Sequence, residues 1–341
     1  MKAPQNKINV ALIGCGYWGP NFIRVIQSSE KVFLTRICDR DEAKLQAVSA
    51  KHPNVICTSD IEDIINDDAV DAVIVCTPAN THFDITRKLL LSGKHVLCEK
   101  PLANTAADCD ELQKISIATG KQLLAGHVFE YNEVVKHMKK LIAGNEIGDV
   151  LYMQFTRMGL GPAREDVNVI FDLAAHDVSI AISLMGKLPV AVTANGSCFV
   201  NPALEDVAFI QLEFPGKVFA NINVSWIDPM KQRLVKVVGS KKMLLFDDVS
   251  ITEKLKIIKM GKGYQVNSGD FGSFQLSVKD GEIIIPNLQH PEPLITEFDH
   301  FIGCIKGQEK PQTDAVYAGR VVKVLESAQE SIHNNGKKIM L

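Results

Sequence analysis

The chain has 341 residues, of which 46% are hydrophobic and 23% are charged, and its formal net charge is −3. This length predicts about two domains, each with its own hydrophobic core. The composition is that of a folded globular protein, which excludes disordered, collagen-like and coiled-coil chains. Because there is no excess of basic residues to hold a polyphosphate backbone, we expect no nucleic-acid partner.

The sequence shows no targeting or membrane segment. Residues 1–7 lead into an apolar strand without a signal-peptide core, and no apolar run approaches the roughly 20 residues of a membrane helix. The eight cysteines are scattered and never occur as CxxC, which argues against a disulfide framework or a zinc ribbon. We therefore expect a cytoplasmic protein with no membrane partner and no metal site.

The first part of the chain alternates short apolar runs with amphipathic stretches. We predict strands at 8–13, 33–38, 55–58, 72–76, 95–98 and 122–126, and helices at 18–29, 41–52, 60–65, 81–92 and 105–119. The strands are apolar throughout rather than alternating, as in a parallel sheet that is covered on both faces. Residues 1–127 are therefore predicted to form a parallel α/β domain.

The pattern changes after about residue 128. Residues 151–157 and 207–226 alternate with period two, and a turn at 214–217 predicts a hairpin. Helices are predicted over 171–185, 293–305 and 314–334. Residues 128–341 are therefore predicted to form an α+β domain with a mainly antiparallel sheet, open on one face.

The first strand leads into the motif G-C-G-Y-W-G at residues 14–19, which opens the first helix. In such a motif Gly14 permits a tight turn, Gly16 lets a pyrophosphate approach the backbone, and Gly19 allows close packing of helix and strand. The helix N-terminus offers free N–H groups to the phosphates. This strand, loop and helix predict a Rossmann dinucleotide site. Its candidate cofactor-binding residues are Gly14, Gly16, Tyr17, Trp18 and Gly19.

The second strand ends at Asp39, 20 residues after Gly19. A carboxylate at this position accepts hydrogen bonds from the ribose hydroxyls and repels a 2′-phosphate, so the sequence favours NAD over NADP. Arg40 follows, and an arginine there can lie near the adenine or accommodate a 2′-phosphate instead.

Two later strand ends carry polar residues that a sheet core does not need. Thr77 and Pro78, with His82 further on, follow the fourth strand, and Glu99 and Lys100 follow the fifth. Ligands of open α/β sheets bind outside the carboxyl ends of the strands. We predict all five as cofactor-binding residues, with His82 either facing the cofactor or capping a helix. A lysine fixed before a proline and beside a dinucleotide can also serve in proton transfer.

Asp172 and His176 are four residues apart in the predicted helix 171–185 and so lie on one helical face. An imidazole and a carboxylate at this spacing can share a sugar hydroxyl, with His176 as the acid/base group. The spacing also fits an ordinary helical pair without a function, and no third ligand is placed for a metal.

The chain resembles the Gfo/Idh/MocA oxidoreductase family over nearly its whole length. The matching motifs are, in order, the glycine loop 14–19, Asp39, the run 77–82, Glu99-Lys100-Pro101, and Asp172 with His176. The resemblance implies an NAD(P)-binding Rossmann domain, hydride transfer at a sugar-like hydroxyl or carbonyl, and a sheet that forms the interface of a homo-oligomer, dimer or tetramer. It also implies that Lys100 and His176 are acid/base groups and that Asp172 contacts substrate.

Within that family, residues 16–21 and 161–177 resemble the UDP-N-acetylglucosaminuronate 3-dehydrogenases of surface polysaccharide biosynthesis. This implies oxidation of C3 of a nucleotide-linked hexose or hexuronate, with NAD regenerated by 2-oxoglutarate in some members and a PLP aminotransferase as a pathway partner. Arg164 and Asn168 are then candidates to bind a carboxylate or a diphosphate.

Residues 130–133 depart from the family's pattern after the sixth strand, because Glu130 stands where an arginine is common and Glu133 where a proline is common. Tyr131 and Asn132 remain candidate substrate-binding residues there. Two other functions fit the sequence: an NAD-dependent dehydrogenase of a free sugar or inositol, and a non-catalytic regulator that binds NAD and a sugar. Retention of both Lys100 and His176 argues against the regulator.

Overall fold

The structure is a computed structural model that describes residues 7–161, 164–259, 282–289 and 291–341. The N-terminal residues 1–6, and residues 162 and 163 of the run used for the resemblance, lie outside the described residues.

The first sheet has six parallel strands in the order β3-β2-β1-β4-β5-β6. Its strands are β1 (Ile8–Ile13), β2 (Val32–Cys38), β3 (Ile56–Thr58), β4 (Ala72–Val75), β5 (His95–Glu99) and β6 (Leu123–Gly126). The connecting helices are α1 (Gly19–Ser28), α2 (Glu42–Lys51), α3 (Glu62–Ile65), α4 (His82–Leu91) and α5 (Ala106–Thr119). Strand order reverses between β1 and β4, and such a reversal opens a crevice for ligands.

Both faces of this sheet are covered, which explains why its strands are apolar throughout. Along β1, Val10 and Leu12 face one buried cluster while Ala11 and Ile13 face the other. The predicted parallel sheet is thereby confirmed, and the element bounds differ from the predicted ones by one or two residues at most ends.

The second sheet has nine strands in the order β14-β13-β12-β11-β7-β10-β9-β8-β15. Its strands are β7 (Val150–Met158), β8 (Ala191–Ser197), β9 (Val207–Phe214), β10 (Val218–Ser225), β11 (Gln232–Gly239), β12 (Lys242–Asp247), β13 (Leu255–Lys259), β14 (Ile283–Ile284) and β15 (Ile339–Met340). All neighbours pair antiparallel except β7 and β10, which are parallel. This confirms the predicted mainly antiparallel sheet and its β9–β10 hairpin.

The helices after β6 pack against one or both of the two sheets. They are α6 (Glu133–Ala143), α7 (Ala175–Met185), α8 (Pro293–Ile305) and α9 (Ala315–His333). Phe298 and Phe301 of α8 pack into the core of the first sheet beside α1, and Val322 of α9 packs into the core on its other face. The two tail helices therefore complete the layers of the first sheet, although they follow the predicted boundary at 127 and 128.

The predicted helix 171–185 differs in its first turn. A π-helical turn, Ile170–Ala174, precedes α7, so the chain is wider where Asp172 stands. Such turns occur often at functional sites. Within the described ranges, no helix is both long and apolar enough to cross a membrane.

Candidate active site

The loop between β1 and α1 is shaped by its glycines. Gly14 has φ +98°, and an added Cβ would lie 2.6 Å from the carbonyl carbon of Cys76, so only glycine fits. At Gly16 an added Cβ would meet no atom within 4 Å. The backbone there borders open space, which a dinucleotide pyrophosphate fits. Among the described residues, no acceptor is found for the N–H groups of Gly16 and Tyr17.

The carboxylate of Asp39 is held at the edge of this loop. Oδ2 accepts the Cys15 N–H at 2.5 Å and Oδ1 accepts the Asp41 N–H at 2.9 Å. Asp39 is half-buried and Arg40 is exposed, while Trp18 packs against the core of the first sheet. The loop and this carboxylate together fit the two ends of an adenosine diphosphate group.

The side chain of His82 lies between the loops that follow β4 and β5. Its ring is buried, and Nδ1 and Nε2 lie 2.7 and 2.8 Å from the carbonyl oxygens of Pro101 and Thr77. The side chain joins the loops after β4 and β5 and is closed to a ligand in this structure. His82 is the C-cap residue of the short 3-10 helix Ala79–Thr81, and its predicted contact with the cofactor stays a prediction. Thr77 and Pro78 remain at the sheet edge, next to the glycine loop.

The reaction centre is built where β5 ends against the π-helical turn of the second domain. The Nζ of Lys100 lies 2.7 Å from the carbonyl oxygen of Asp172 and 3.0 Å from Oδ1 of the same residue. Arg164 donates to Oδ1 at 3.1 Å, and the indole N–H of Trp226 donates to Oδ2 at 3.1 Å. Lys100 is 7% exposed. The structure thus brings together Lys100 and Asp172, 72 residues apart in sequence.

These contacts fix the charges of the pair. Burial alone would raise the pKa of Asp172, but the positive charges of Lys100 and Arg164, with the hydrogen bonds from Lys100 and Trp226, hold that pKa below its ordinary value. The carboxylate is therefore ionised at neutral pH. It faces the Lys100 amine at 3.0 Å, a charge-assisted contact that fixes the direction of the amine.

His176 stands beside this pair in the first turn of α7. Burial lowers the pKa of His176 well below its ordinary value, and the positive charges of Lys100 and Arg157 lower it further. Its ring meets Phe129 edge to face at 5.2 Å, and no partner for its Nδ1 is found in the described part of the chain. The imidazole is therefore neutral at neutral pH.

Glu99 lies on the cofactor side of the same strand end. Burial raises the pKa of Glu99 to about 7, against the opposing effects of the Lys100 charge and of the Lys100 N–H, which donates to its carboxylate at 3.2 Å. The side chain is half-buried. It is thus a group whose charge changes near neutral pH.

Sequence reasoning missed a buried ion pair behind His176. Arg157 at the end of β7 donates to Asp177 through Nε and a terminal nitrogen, the shortest bond being 2.8 Å, and its guanidinium lies 4.6 Å from the centre of the Phe129 ring. The available indication was that Arg157 continues the inward, apolar positions Met153 and Phe155. Trp226, which bonds Asp172, gave no comparable indication because its strand pattern is regular.

Three predicted substrate-binding residues are buried and bond to other parts of the protein. Tyr131 is 1% exposed and its hydroxyl bonds Thr313 at 3.1 Å; Asn132 is the N-cap of α6. Asn168 is buried, its amide bonds Glu205 and Gln329, and its Oδ1 accepts N–H groups of the π-helical turn. All three are buried and bonded to neighbouring elements, and their binding of substrate stays a prediction.

Glu130, the departure from the family pattern, is also internal. Its buried carboxylate accepts from the hydroxyls of Ser179, Ser183 and Tyr317, at distances of 2.7 to 3.2 Å. The network ties the segment after β6 to α7 and α9. An arginine here would have no carboxylate to meet among these hydroxyls.

Arg164 does reach the site, and three of its five N–H donors are engaged there. It donates to both carboxylate oxygens of Asp166, at 2.9 and 2.7 Å, and to Asp172. Asp166 in turn accepts the N–H of Ala79 at 2.9 Å, which connects this segment to the loop after β4. In this structure Arg164 serves the contact between the domains.

A dinucleotide loop beside a lysine, an ionised carboxylate and a neutral histidine defines an oxidoreductase with an NAD-binding domain. Comparison with family models agrees: residues 8–127 match the oxidoreductase family with an NAD-binding Rossmann fold, and residues 135–245 match the GFO/IDH/MocA C-terminal domain. The chain belongs to the Gfo/Idh/MocA family of oxidoreductases. The predictions of an enzyme and of NAD as its cofactor are thereby confirmed.

Relatives place the chain among enzymes of sugars and polyols. Inositol 2-dehydrogenase 2 of Saccharopolyspora erythraea is 29% identical over 224 residues, covering 64% of this chain and 66% of that protein. The 2,7-anhydro-N-acetylneuraminate hydratase of Escherichia coli K12 is 25% identical over 274 residues, covering 76% and 73%. The crystal structure of GenD2 from gentamicin A biosynthesis, in complex with NAD, shares the fold with a TM-score of 0.83 over 99% of both chains, at 23% identity.

Proposed function

We propose that this chain is a dehydrogenase that oxidises, or in reverse re-forms, one ring hydroxyl of a hexose-like substrate in the cleft between the two domains. The observation that carries the proposal is the buried contact of Lys100 with Asp172, beside a neutral His176 and at the sheet edge that carries the dinucleotide loop. This set can hold a hydroxyl and move its proton.

The residues have separable roles in this proposal. When bound, the dinucleotide supplies the acceptor for a hydride from the carbon. His176 accepts the proton of the hydroxyl through its neutral imidazole. Lys100 donates a hydrogen bond to the same oxygen as negative charge develops there. Asp172, held by Lys100 and Trp226, orients the amine and binds a neighbouring hydroxyl.

Two forms of substrate are open to this site. The resemblance in residues 16–21 and 161–177 favours oxidation at C3 of a nucleotide-linked hexose or hexuronate, such as UDP-N-acetylglucosaminuronate. The relatives named above include an inositol 2-dehydrogenase, which favours a free sugar or inositol at least as well. If a 3-keto hexose is the product, a PLP aminotransferase is the enzyme class that would consume it.

A second copy of the chain is the partner that the sheet favours. Its outer face carries Tyr152, Phe209 and Phe219, which are 43%, 53% and 37% exposed on neighbouring strands. Tyr152 and Phe219 are register partners, and Phe209 lies on the same face opposite Asn223, four residues along β10. Exposed aromatic side chains on one face are typical of an interface. We expect light scattering to give a dimer or tetramer for the wild type and a smaller assembly for Phe209→Asp with Phe219→Asp.

The activity is tested by single-turnover absorbance at 340 nm, with the NAD-loaded protein in excess over each substrate. The panel contains UDP-N-acetylglucosaminuronate, UDP-N-acetylglucosamine, glucose and myo-inositol. A burst with any member supports the proposed oxidation, and the member that reacts decides between the two substrate forms. Adding 2-oxoglutarate after the burst tests recycling of bound NADH. Absence of a burst with every member, while NAD binds, would contradict the proposed function for these substrates.

A further inference from the structure

Two arginines stand directly opposite each other on neighbouring strands of the second sheet. Arg157 on β7 and Arg233 on β11 are register partners. They occupy the same inward face as the pair Phe155 and Val235, two residues further along each strand. Like charges in this arrangement repel each other and destabilise a sheet unless anions compensate them.

Only one of the two is compensated in full. Arg157 is buried and forks onto Asp177, which is 1% exposed. The nearest carboxylate to Arg233 is that of Asp248, at 3.6 Å, and the same carboxylate lies 3.9 Å from Lys254. Within the part of the chain that the structure describes, these three cations share two carboxylates. One positive charge is in excess among them, on the side where the Arg233 side chain is 44% exposed.

The surplus charge lies beside the reaction centre. The charge of Arg233 acts on the His176 ring together with those of Lys100 and Arg157. Strand β11 begins opposite Met158, the residue at which β7 ends. Along the chain, Arg164 follows six residues after Met158. Geometry agrees: Arg233 is the register partner of Arg157, whose guanidinium lies 4.6 Å from the Phe129 ring that meets the His176 ring.

Arg233 also differs from Arg164, the other cation there. Three of the five N–H donors of Arg164 bond Asp166 and Asp172, as described above. For the Arg233 side chain, no hydrogen-bond acceptor is found in the described ranges, and its ion pair with Asp248 is long. A guanidinium in this state can present its planar fork to a carboxylate or a phosphate.

We propose that Arg233 is the anchor of an anion-binding subsite, which takes a negatively charged substituent of the sugar whose hydroxyl is oxidised. The inference rests on the proposed function and narrows its substrate class to anionic sugars. The shared chemistry is a pair of anionic oxygens, from either a diphosphate on C1 or the carboxylate of a uronic acid. Asp177 accepts its hydrogen bonds from Arg157, and among the described residues none joins it to Arg233.

The test is calorimetric binding to the NADH-loaded protein, which measures affinity without turnover. UDP-N-acetylglucosamine supplies a diphosphate, glucuronate supplies a carboxylate, and myo-inositol supplies neither. The variants are Arg233→Met, Arg233→Lys and Lys236→Met; the last removes a charge from the outward face of the same strand, where Lys236 bonds Gln154. Thermal melting confirms that each variant is folded.

We expect Arg233→Met to weaken one of the two anionic probes at least tenfold, which is about 1.4 kcal/mol. Affinity for myo-inositol should stay within twofold. Arg233→Lys should retain part of the affinity, and Lys236→Met should match the wild type. The probe that weakens identifies the anion as diphosphate or carboxylate, and its wild-type affinity should fall as salt is raised.

Equal losses for charged and neutral probes in Arg233→Met, or a wild type that binds charged probes no better than myo-inositol, would overturn the subsite. Failure of the proposed function looks different. In that case no sugar of the panel forms NADH, while binding of the anionic probe still depends on Arg233, and the subsite stands.

Discussion

The glycine loop and the reaction centre are built in opposite ways. The loop works through missing side chains: Gly14 fits only because it has no Cβ, and Gly16 leaves open space beside free N–H groups. The reaction centre, in contrast, consists of side chains that bond to each other. Lys100, from one domain, and Asp172, from the other, are joined at 3.0 Å.

The two kinds of site therefore differ in how they respond to substitutions. A backbone site depends on local chain geometry, so its parts are contiguous and single substitutions act on shape. A side-chain site depends on partners far apart in sequence, so removing one group leaves another buried and unpaired. The four predictions below separate these two behaviours.

The largest effect is expected for Lys100→Met. Loss of the amine removes the donor to the reacting oxygen and leaves Asp172 without its main partner, so the single-turnover rate should fall about 1,000-fold. Affinity for NAD, measured by fluorescence titration of NADH, should stay within about threefold. The control is Lys88→Met, an exposed lysine on α4 that pairs with Glu62. Parallel loss of rate and NADH affinity would contradict the separation of the two sites.

Alanine at the first two glycines should give opposite outcomes. Gly14→Ala places a Cβ against Cys76 at φ +98°, and we expect it to lower the free energy of unfolding by about 2–5 kcal/mol. Gly16→Ala meets no atom, so it should leave the melting temperature nearly unchanged while weakening NADH binding. Thermal melts with NADH titration distinguish the two. If Gly16→Ala unfolds the protein instead, the loop is not open as described.

Trp226→Phe tests the support of Asp172 with a smaller change. An aromatic ring is kept, although a smaller one, and the N–H that donates to Oδ2 is lost, which should slow hydride transfer about tenfold. Because this bond helps to lower the pKa of Asp172, the acidic limb of the pH profile should move to higher pH. A lower rate with an unmoved limb would mean that Trp226 acts on packing alone.

The smallest effect is expected from Glu99→Gln. The folded protein holds the pKa of Glu99 at about 7, above the ordinary value near 4.3, so the folded state binds more protons between these values. Stability from this group is present below about pH 4 and is lost as pH rises through 7. The melting temperature of the wild type should therefore fall about 2–4 °C more than that of Glu99→Gln between pH 5 and 8. Equal slopes would contradict the raised pKa.

The sequence predicted best what local rules decide. The order of strands and helices through β6 follows from periodicity, and the glycine loop with Asp39 follows from spacing. Helix α6 was within reach too, since Val134, Val135 and Met138 form its buried face. It is absent from the helices predicted after residue 128.

What the sequence could not show depends on tertiary partners. Nothing local distinguishes Asn168, which caps the π-helical turn, from a residue that binds a carboxylate. The bond from Trp226 to Asp172 joins positions 54 residues apart. The ion pairs of Arg164 with Asp166 and Asp172 likewise depend on how the fold brings these residues together.

The most direct test of the account is a double-mutant cycle between Lys100 and Asp172, measured as the single-turnover rate at 340 nm with the substrate found in the panel. If Lys100 and Asp172 act together, the double variant Lys100→Met with Asp172→Asn should react no more slowly than the worse single variant. If the losses of the two single variants multiply instead, the residues act independently and the interlocked reaction centre is contradicted.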